Sequence, residues 1–316
     1  MAERVLVTGG AGFIGSHVAD RYLAHGFEVT VLDDLSSGRR ENVPEAATFV
    51  HADIGSPEAR QLLADGGFAI LNHHAAQMDV RVSVADPQKD ARINLLGLLN
   101  LLEGARAGGV RRVVFASSGG VVYGESDDLP HAEEARKLPV SPYGVSKMGS
   151  EFYLAAYAQL YGLETCALRY ANVYGPRQSP HGEAGVVAIF GNRLTRKAPI
   201  TIYGDGEQTR DYVFVGDVAR ANLAASTCAL PPVYTIDDRA VNIGTATETS
   251  VNALAAAMIG STGVEVPVEH APARAGELQR SSVGIAKAAR FLAWTPEIAL
   301  ADGLRQTYEW IRTVKT

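Results

Sequence analysis

Cysteine is nearly missing from this chain: of 316 residues only Cys166 and Cys228 are cysteines, and they lie far apart. Neither a disulfide framework nor a thiolate zinc cluster can be built from them, and a reducing, cytoplasmic setting is expected. Long apolar runs are missing too. No stretch approaches the ~20 residues of a membrane span, and Met1-Ala2-Glu3-Arg4 leads into a short apolar strand rather than a signal-peptide core. No membrane association is therefore expected. There is no run of Lys or Arg and the formal net charge is -6, which speaks against a nucleic-acid partner and favours a small molecule. Internal repeats, low-complexity tracts and long linkers are also absent.

Apolar residues, by contrast, make up 47% of the chain, enough to bury a full core. The length suits about two domains of ~150 residues each. Short β-branched runs alternate with helical periodicity. Val5-Leu6-Val7 is followed by a helix over about 13–25, then by Val29-Thr30-Val31-Leu32, Phe49-Val50, Ile70-Leu71 and Val113-Val114-Phe115. That alternation predicts an α/β fold with a doubly wound, Rossmann-like parallel sheet. Residues 94–107 read as a helix with Leu95, Leu98, Leu99 and Leu102 on one face. Residues 143–161 read as a second, begun after Ser141-Pro142, and the two are candidates for a homodimer interface. Beyond a strand over 165–170, Pro176, Pro180 and Pro199 break the regularity before Thr201-Ile202-Tyr203 and a helix near Asp217. The expected organisation is a dinucleotide-binding domain of 1–170 plus about 211–244. A smaller α/β C-terminal domain of about 171–210 plus 245–316 would hold the substrate, with the active site between the two.

Two motifs carry chemistry. Gly9, Gly12 and Gly15 stand where the first strand turns into a helix: one for the turn, one for backbone approach to a pyrophosphate, one for helix–sheet packing. Asp33 ends the second strand about 18 residues later, where a carboxylate accepts ribose hydroxyls and repels a 2′-phosphate, so NAD is favoured over NADP. Asp53-Ile54, after the third strand, is placed to bracket the adenine. The second motif is Tyr143-Gly144-Val145-Ser146-Lys147. A spacing of four on a helix puts Tyr and Lys on one face, and Pro142 sets Tyr143 near the positive end of the helix dipole. A phenol acting as a base near neutrality needs such a cation beside it, and an oxidised nicotinamide adds another. His73-His74 suggests a metal, yet neighbouring strand residues point to opposite faces, so no metal is expected and His74 is placed beside the cofactor.

Beyond these motifs, long segments point to one family: Asp33-Asp34-Leu35-Ser36-Ser37-Gly38, His74-Ala75-Ala76-Gln77, Asn94 before Gly97, and Ser117-Ser118-Gly119-Gly120-Val121-Val122-Tyr123-Gly124. They continue with Leu168-Arg169-Tyr170-Ala171-Asn172-Val173-Tyr174-Gly175-Pro176-Arg177, Tyr203-Gly204-Asp205-Gly206, Thr209-Arg210-Asp211-Tyr212-Val213 and Asn242-Ile243-Gly244-Thr245. Over nearly its full length the chain resembles the extended short-chain dehydrogenase/reductases, and among them the UDP-glucose 4-epimerases. The resemblance implies that Tyr143 takes the proton of the sugar 4-hydroxyl while the C4 hydride passes to NAD, after which the 4-keto sugar turns over and the hydride returns. It implies cofactor contacts from Gly9, Gly12, Phe13, Ile14, Gly15, Asp33, Asp34, Leu35, Ser37, Gly38, Asp53, Ile54, His74, Ala75, Ala76, Gln77, Asn94, Ala116, Ser117, Tyr143, Lys147, Tyr170 and Val173. Toward the UDP-sugar it implies Arg210 and Arg274 on the diphosphate, Asn172 on a phosphate, Thr201 and Tyr203 at the uracil, Glu277 at the ribose, and Val187 as a further substrate contact.

One departure stands out. Gly119 occupies the place where the family usually carries a Ser or Thr hydroxyl against the sugar O4, so Ser118, Ser117 or a water must supply that donor, with Ser118 expected. The 4,6-dehydratases and UDP-glucuronate decarboxylases of the family carry acids in this segment, whereas this chain has Gly120 and Val121, which leaves the ketone to be reduced again. Ser281, small where bulk is thought to exclude N-acetylated sugars, leaves room for UDP-GlcNAc, and a UDP-uronate is a further alternative. Met78 replaces a Lys frequent in galactose epimerases. A non-catalytic NAD-binding sensor or scaffold is the rival of another class. The presence of Tyr143 and Lys147 together with the arginines argues against it.

Overall fold

The computed structural model describes residues 2–180, 185–273 and 278–314. In chain order its strands are β1 (Arg4–Thr8), β2 (Glu28–Asp33), β3 (Thr48–His51), β4 (Ile70–His73), β5 (Arg112–Ser118), β6 (Glu164–Tyr170), β7 (Asn172–Tyr174), β8 (Ile200–Tyr203), β9 (Thr209–Arg210), β10 (Tyr212–Phe214), β11 (Ala240–Ile243), β12 (Thr249–Ser250) and β13 (Val268–Ala271). The helices are α1 (Phe13–Ala24), α2 (Pro57–Asp65), α3 (Val80–Ala85), α4 (Pro87–Ala91), α5 (Gly97–Ala107), α6 (Gly119–Val122), α7 (Pro142–Tyr161), α8 (Val186–Thr195), α9 (Val215–Thr227), α10 (Val251–Thr262), α11 (Ala286–Leu292) and α12 (Leu300–Thr313). Seven strands form one parallel sheet in the order β11-β6-β5-β4-β1-β2-β3. This is the expected doubly wound α/β sheet.

Strands buried on both faces explain the continuous apolar runs of the sequence. On β1, Val5 and Val7 point into the core under α1 and α9, while Leu6 points into the core under α2, α5 and α7. The same alternation sends Val114 and Leu168 to one side and Phe115 and Ala167 to the other. The strand order reverses between β1 and β4, which are neighbours although far apart in sequence. At such a switch point the carboxyl ends of adjacent strands open a crevice for a ligand.

Helix α7 begins at an N-cap, where Ser141 Oγ accepts the Gly144 N–H at 3.1 Å and Pro142 occupies the first turn, and ends at Gly162 in the left-handed region (φ 69°). The leucine face of α5 differs from expectation. The fully buried residues are Leu98, Leu101, Leu102 and Ala105, with Leu95 and Leu99 not among them. Leu95 falls in a π-helical turn over Arg92–Leu96, which ends before α5 begins.

A second core is built by α8, α10 and α12 around Tyr174, Phe190, Ile202, Phe214, Leu254, Met258 and Leu304. The segment after 245 does not lie wholly in it. Helix α11 and Trp294 pack on the large sheet with Val218, Val241 and Ile243, and the Trp294 indole N–H donates to the Asp217 carbonyl at 2.9 Å. The carboxylate of Asp217 accepts the Glu297 and Ile298 N–H groups at 3.1 Å each, turning the chain back toward α12.

Candidate active site

The turn after β1 is shaped by close approach. Gly9 has φ 68°, and a Cβ there would lie 2.5 Å from the Ala75 nitrogen. One on Gly15 would overlap the Gly9 carbonyl. Gly12 is less confined, its virtual Cβ 3.1 Å from that oxygen, so room for a ligand rather than internal packing is what a side chain there would take away. No side chain caps α1, which leaves its first-turn N–H groups for an anion. Phe13 and Ile14, half-buried, form that first turn.

Asp33 closes β2 and braces the rim of the cradle. Its oxygens accept the Ala11 N–H at 3.0 Å and the Leu35 N–H at 2.8 Å, and burial pushes its carboxyl up against the pull of those two donors. Gly38 lies so close that a Cβ would stand 2.9 Å from Asp33 Oδ1. Asp34 accepts from the Ser36 N–H at 2.9 Å, shaping the loop that exposes Ser37. Asp53 is exposed and turned toward the Gly55 N–H at 2.7 Å, whereas the Ile54 side chain is buried in the sheet core, which leaves its backbone for any contact with a ligand.

The two histidines part as expected. His73 Nδ1 pairs with Thr8 Oγ1 at 2.7 Å, while His74 Nε2 pairs with the Tyr170 hydroxyl at 3.1 Å and stacks on that ring. Burial, aided by the Lys147 charge, pulls His74 down to about 3, so it is neutral, and its Nδ1 is sealed without a partner. Among the described residues no group of three or more His, Cys, Asp or Glu converges on a metal position. After His74 the loop continues through Ala75 and Ala76 to Gln77, whose N–H donates to Asn94 Oδ1 and whose carbonyl accepts from Asn94 Nδ2, both at 2.9 Å. Asn94 thus clamps the loop rather than reaching outward. Val173, half-buried on β7, lies one strand beyond Tyr170.

Lys147 is buried on α7. Its ammonium donates to the Ala116 carbonyl at 2.8 Å and lies 5.7 Å from the centre of the Tyr143 ring. Burial pushes Lys147 down to about 8, with the charges of Asp90 and Glu151 opposing. Tyr143 is half-buried at the first turn of the same helix. A cation fixed beside a phenol favours phenolate, as proton abstraction from a hydroxyl requires.

Ser118 ends β5 with its side chain not engaged in capping α6. The Ser117 hydroxyl is engaged, donating to Glu151 at 2.5 Å, whereas Ser118 is half-buried. Gly119 is walled in: a Cβ there would lie 2.8 Å from Val283 Cγ1 and 3.2 Å from the Arg169 carbonyl. Val283 is in turn held through its N–H to Asp211 at 3.4 Å, and the Asp211 carbonyl accepts the Asn172 N–H at 2.8 Å. One chain of contacts therefore links Gly119, Val283, Asp211 beside Arg210, and the exposed Asn172. Arg210 Nη1 donates to the Thr209 carbonyl at 2.7 Å, and Gln208 Nε2 ties this segment to the Tyr203 carbonyl at 2.9 Å. Thr201 and Tyr203 lie on β8, paired with β13. The Val187 side chain, 1% exposed, belongs to the second core. Arg274 and Glu277 lie outside the described residues.

Sequence reading did not single out Asp90 or Val283, and it named Thr8 and Ser146 only as members of their motifs, without a role. The spacing of four between Asp90 and Asn94 was a usable signal for the first. The contact of Val283 with Gly119 spans far too much chain to be read from spacing.

A dinucleotide cradle at the switch point of the sheet, served by a lysine-polarised phenol one helix away, is how short-chain dehydrogenase/reductases divide binding from chemistry. The C-terminal unit beside it marks the extended branch of that class. The model of the NAD dependent epimerase/dehydratase family matches residues 5–244, and the chain belongs to that family. It is 46% identical over 314 residues to the UDP-glucose 4-epimerase of Mycolicibacterium smegmatis, with 98% of each chain covered. The UDP-glucose 4-epimerase of Thermotoga maritima, solved with UDP-glucose, is 43% identical with a TM-score of 0.93 over 98% of both chains. The UDP-glucose 4-epimerase of Thermus thermophilus, solved with NAD, is 44% identical with a TM-score of 0.90, covering 99% of this chain and 100% of the other.

Proposed function

We propose that this protein is an NAD-dependent UDP-sugar 4-epimerase, with UDP-glucose and UDP-galactose as its principal pair. The observation that carries the reading is Tyr143 beside the buried Lys147 ammonium at the cofactor crevice, with no carboxylate at 119–121 to divert a 4-ketone. The cradle fits NAD: the positions at Gly9 and Gly15 admit no side chain and the α1 N-terminus is uncapped, while Asp33, braced by the Ala11 N–H, would accept the ribose hydroxyls. NAD held there would supply the acceptor and donor of the C4 hydride. Tyr143 takes the proton of the 4-hydroxyl and returns it, and Lys147 holds the phenolate between those events. Ser118 directs its hydroxyl at O4. Arg210 and Arg274 hold the diphosphate, Asn172 a phosphate oxygen, Thr201 and Tyr203 the uracil, and Glu277 the ribose. Binding energy placed on the nucleotide leaves the sugar free to present either face.

Incubating the purified protein with UDP-galactose, UDP-GalNAc and UDP-galacturonate separately, and following each by proton NMR, tests this reading. The C4 epimer of UDP-galactose is expected. The small, buried Ser281 favours UDP-GalNAc as a second substrate. No conversion of any of the three by folded, NAD-bound protein would favour the sensor reading. The protein is further proposed to work as a cytoplasmic homodimer. Two unpaired cysteines suit a reducing compartment, and Leu96, Val145, Phe152 and Leu160 leave apolar surface exposed on the π-helical turn before α5 and on α7. No helix of the described residues is long and apolar enough to cross a membrane.

A further inference from the structure

Lys147 must carry its charge where water hardly reaches, and a buried ammonium keeps its proton only beside an opposite charge. Two buried carboxylates, Asp90 and Glu151, favour its charged form, and Asp90 is tied through Ser146 Oγ to the helix that carries Lys147. Glu151 is engaged elsewhere. Its Oε2 meets Arg169 Nη2 at 2.6 Å, Arg169 also meets Asp237 at 2.8 Å, and Asp237 pairs with Lys137 at 2.5 Å. Those two cations and two anions cancel. Asp90 is fully buried, and its hydrogen bonds come from neutral donors: Ser146 Oγ at 2.5 Å, Asn94 Nδ2 at 2.9 Å and Gln77 Nε2 at 3.3 Å. Among the described residues the other titratable groups facing Lys147 are Tyr143 on α7, His73 at the end of β4 and His74 just after it, both histidines kept neutral by burial. From β5 it meets the Phe115 ring and the Ala116 carbonyl.

We propose that Asp90 is the counter-charge that keeps Lys147 an ammonium, and that through Ser146 and Asn94 it braces α7 against the loop ending in Gln77. It is a positioning residue, acting through Lys147. Its effect on turnover rests on the epimerase reading, whereas its effect on the charge of Lys147 does not.

Asp90→Asn preserves size and hydrogen bonding while removing the charge, and Ser146→Ala removes one bond while keeping the charge. Melting temperatures of NAD-loaded wild type and both variants are compared from pH 6 to 9.5, together with kcat for UDP-galactose. The Asp90→Asn deficit in Tm is expected to be largest at pH 6 and to shrink as pH rises, because Lys147 then gives up its proton, while the Ser146→Ala deficit stays flat. The alkaline fall of kcat is expected about one pH unit lower in Asp90→Asn, a shift typical of losing one nearby charge, and unmoved in Ser146→Ala. A pH-independent Asp90→Asn deficit with an unmoved kcat profile overturns the proposal. Should Asp90→Asn not fold, Asp90→Asn/Lys147→Met is expected to recover folded protein, and its failure to do so overturns the proposal as well. A wild type that epimerises nothing leaves the Tm comparison decisive, so the two readings fail separately.

Discussion

Replacing Gly119 by serine asks whether Val283 decides which residue can present a hydroxyl at this turn. The new Cβ would stand 2.8 Å from Val283 Cγ1, 3.2 Å from the Arg169 carbonyl and 3.4 Å from the Tyr170 carbonyl. Both carbonyls belong to β6, a central strand, so the fully buried Val283 has to give way. Overpacking of this kind costs about 1–3 kcal/mol. Val283→Ala alone removes two methyl carbons from the core and costs about 1–2 kcal/mol through lost burial and the cavity left behind. In the double variant the serine occupies the space vacated by the valine, so the losses do not add, and a coupling of at least about 1 kcal/mol is expected. Urea denaturation of the four proteins, with NAD at the same saturating concentration, measures the cycle. Additivity within about 0.5 kcal/mol refutes the steric account. Activity gives the second half. Ser118→Ala is expected to lower kcat by about 10²–10³-fold, and adding Gly119→Ser with Val283→Ala to that background is expected to restore part of the loss.

Tyr143→Phe removes the proton acceptor and keeps the ring, so kcat for UDP-galactose should fall by at least about 10²-fold with folding and NAD content unchanged; full turnover in that variant would overturn the assigned role. Lys147 gives a pH signature: burial holds it near 8 against an ordinary 10.5, so kcat should decline above about pH 8 as its proton leaves. The unfolded chain binds the extra proton between 8 and 10.5, so this group's contribution makes stability rise with pH across that window, which Lys147→Met should abolish in pH-dependent urea denaturation. Glu151→Gln leaves the buried Arg169 without its main counter-charge, and a loss of about 3–5 kcal/mol is expected in the same measurement; a loss below about 1 kcal/mol would show Asp237 to be enough.

The sequence by itself determined the parts of this protein that depend on near neighbours in the chain. The β1 turn with Gly9, Gly12 and Gly15, the carboxylate of Asp33 at the end of β2, the Ser141-Pro142 start of α7, and Tyr143 and Lys147 on one helix face are all legible there. Each rests on backbone geometry or on a spacing of a few residues. Strand and helix order was legible for the same reason, since burial on both faces writes continuous apolar runs. The tertiary structure alone decided what those residues meet. Parallel pairing brings β1 beside β4 and so sets Thr8 against His73. Packing buries Leu101 and Ala105 of α5 rather than Leu99, while Leu95 falls in the π-helical turn before that helix. Packing of α11 and Trp294 draws part of the C-terminal segment onto the large sheet. Val283, near the far end of the chain, closes over Gly119, and Asp90 reaches Ser146 across 56 residues. Steric exclusion and burial depend on what surrounds an atom in space, and the order of residues along the chain does not carry that information.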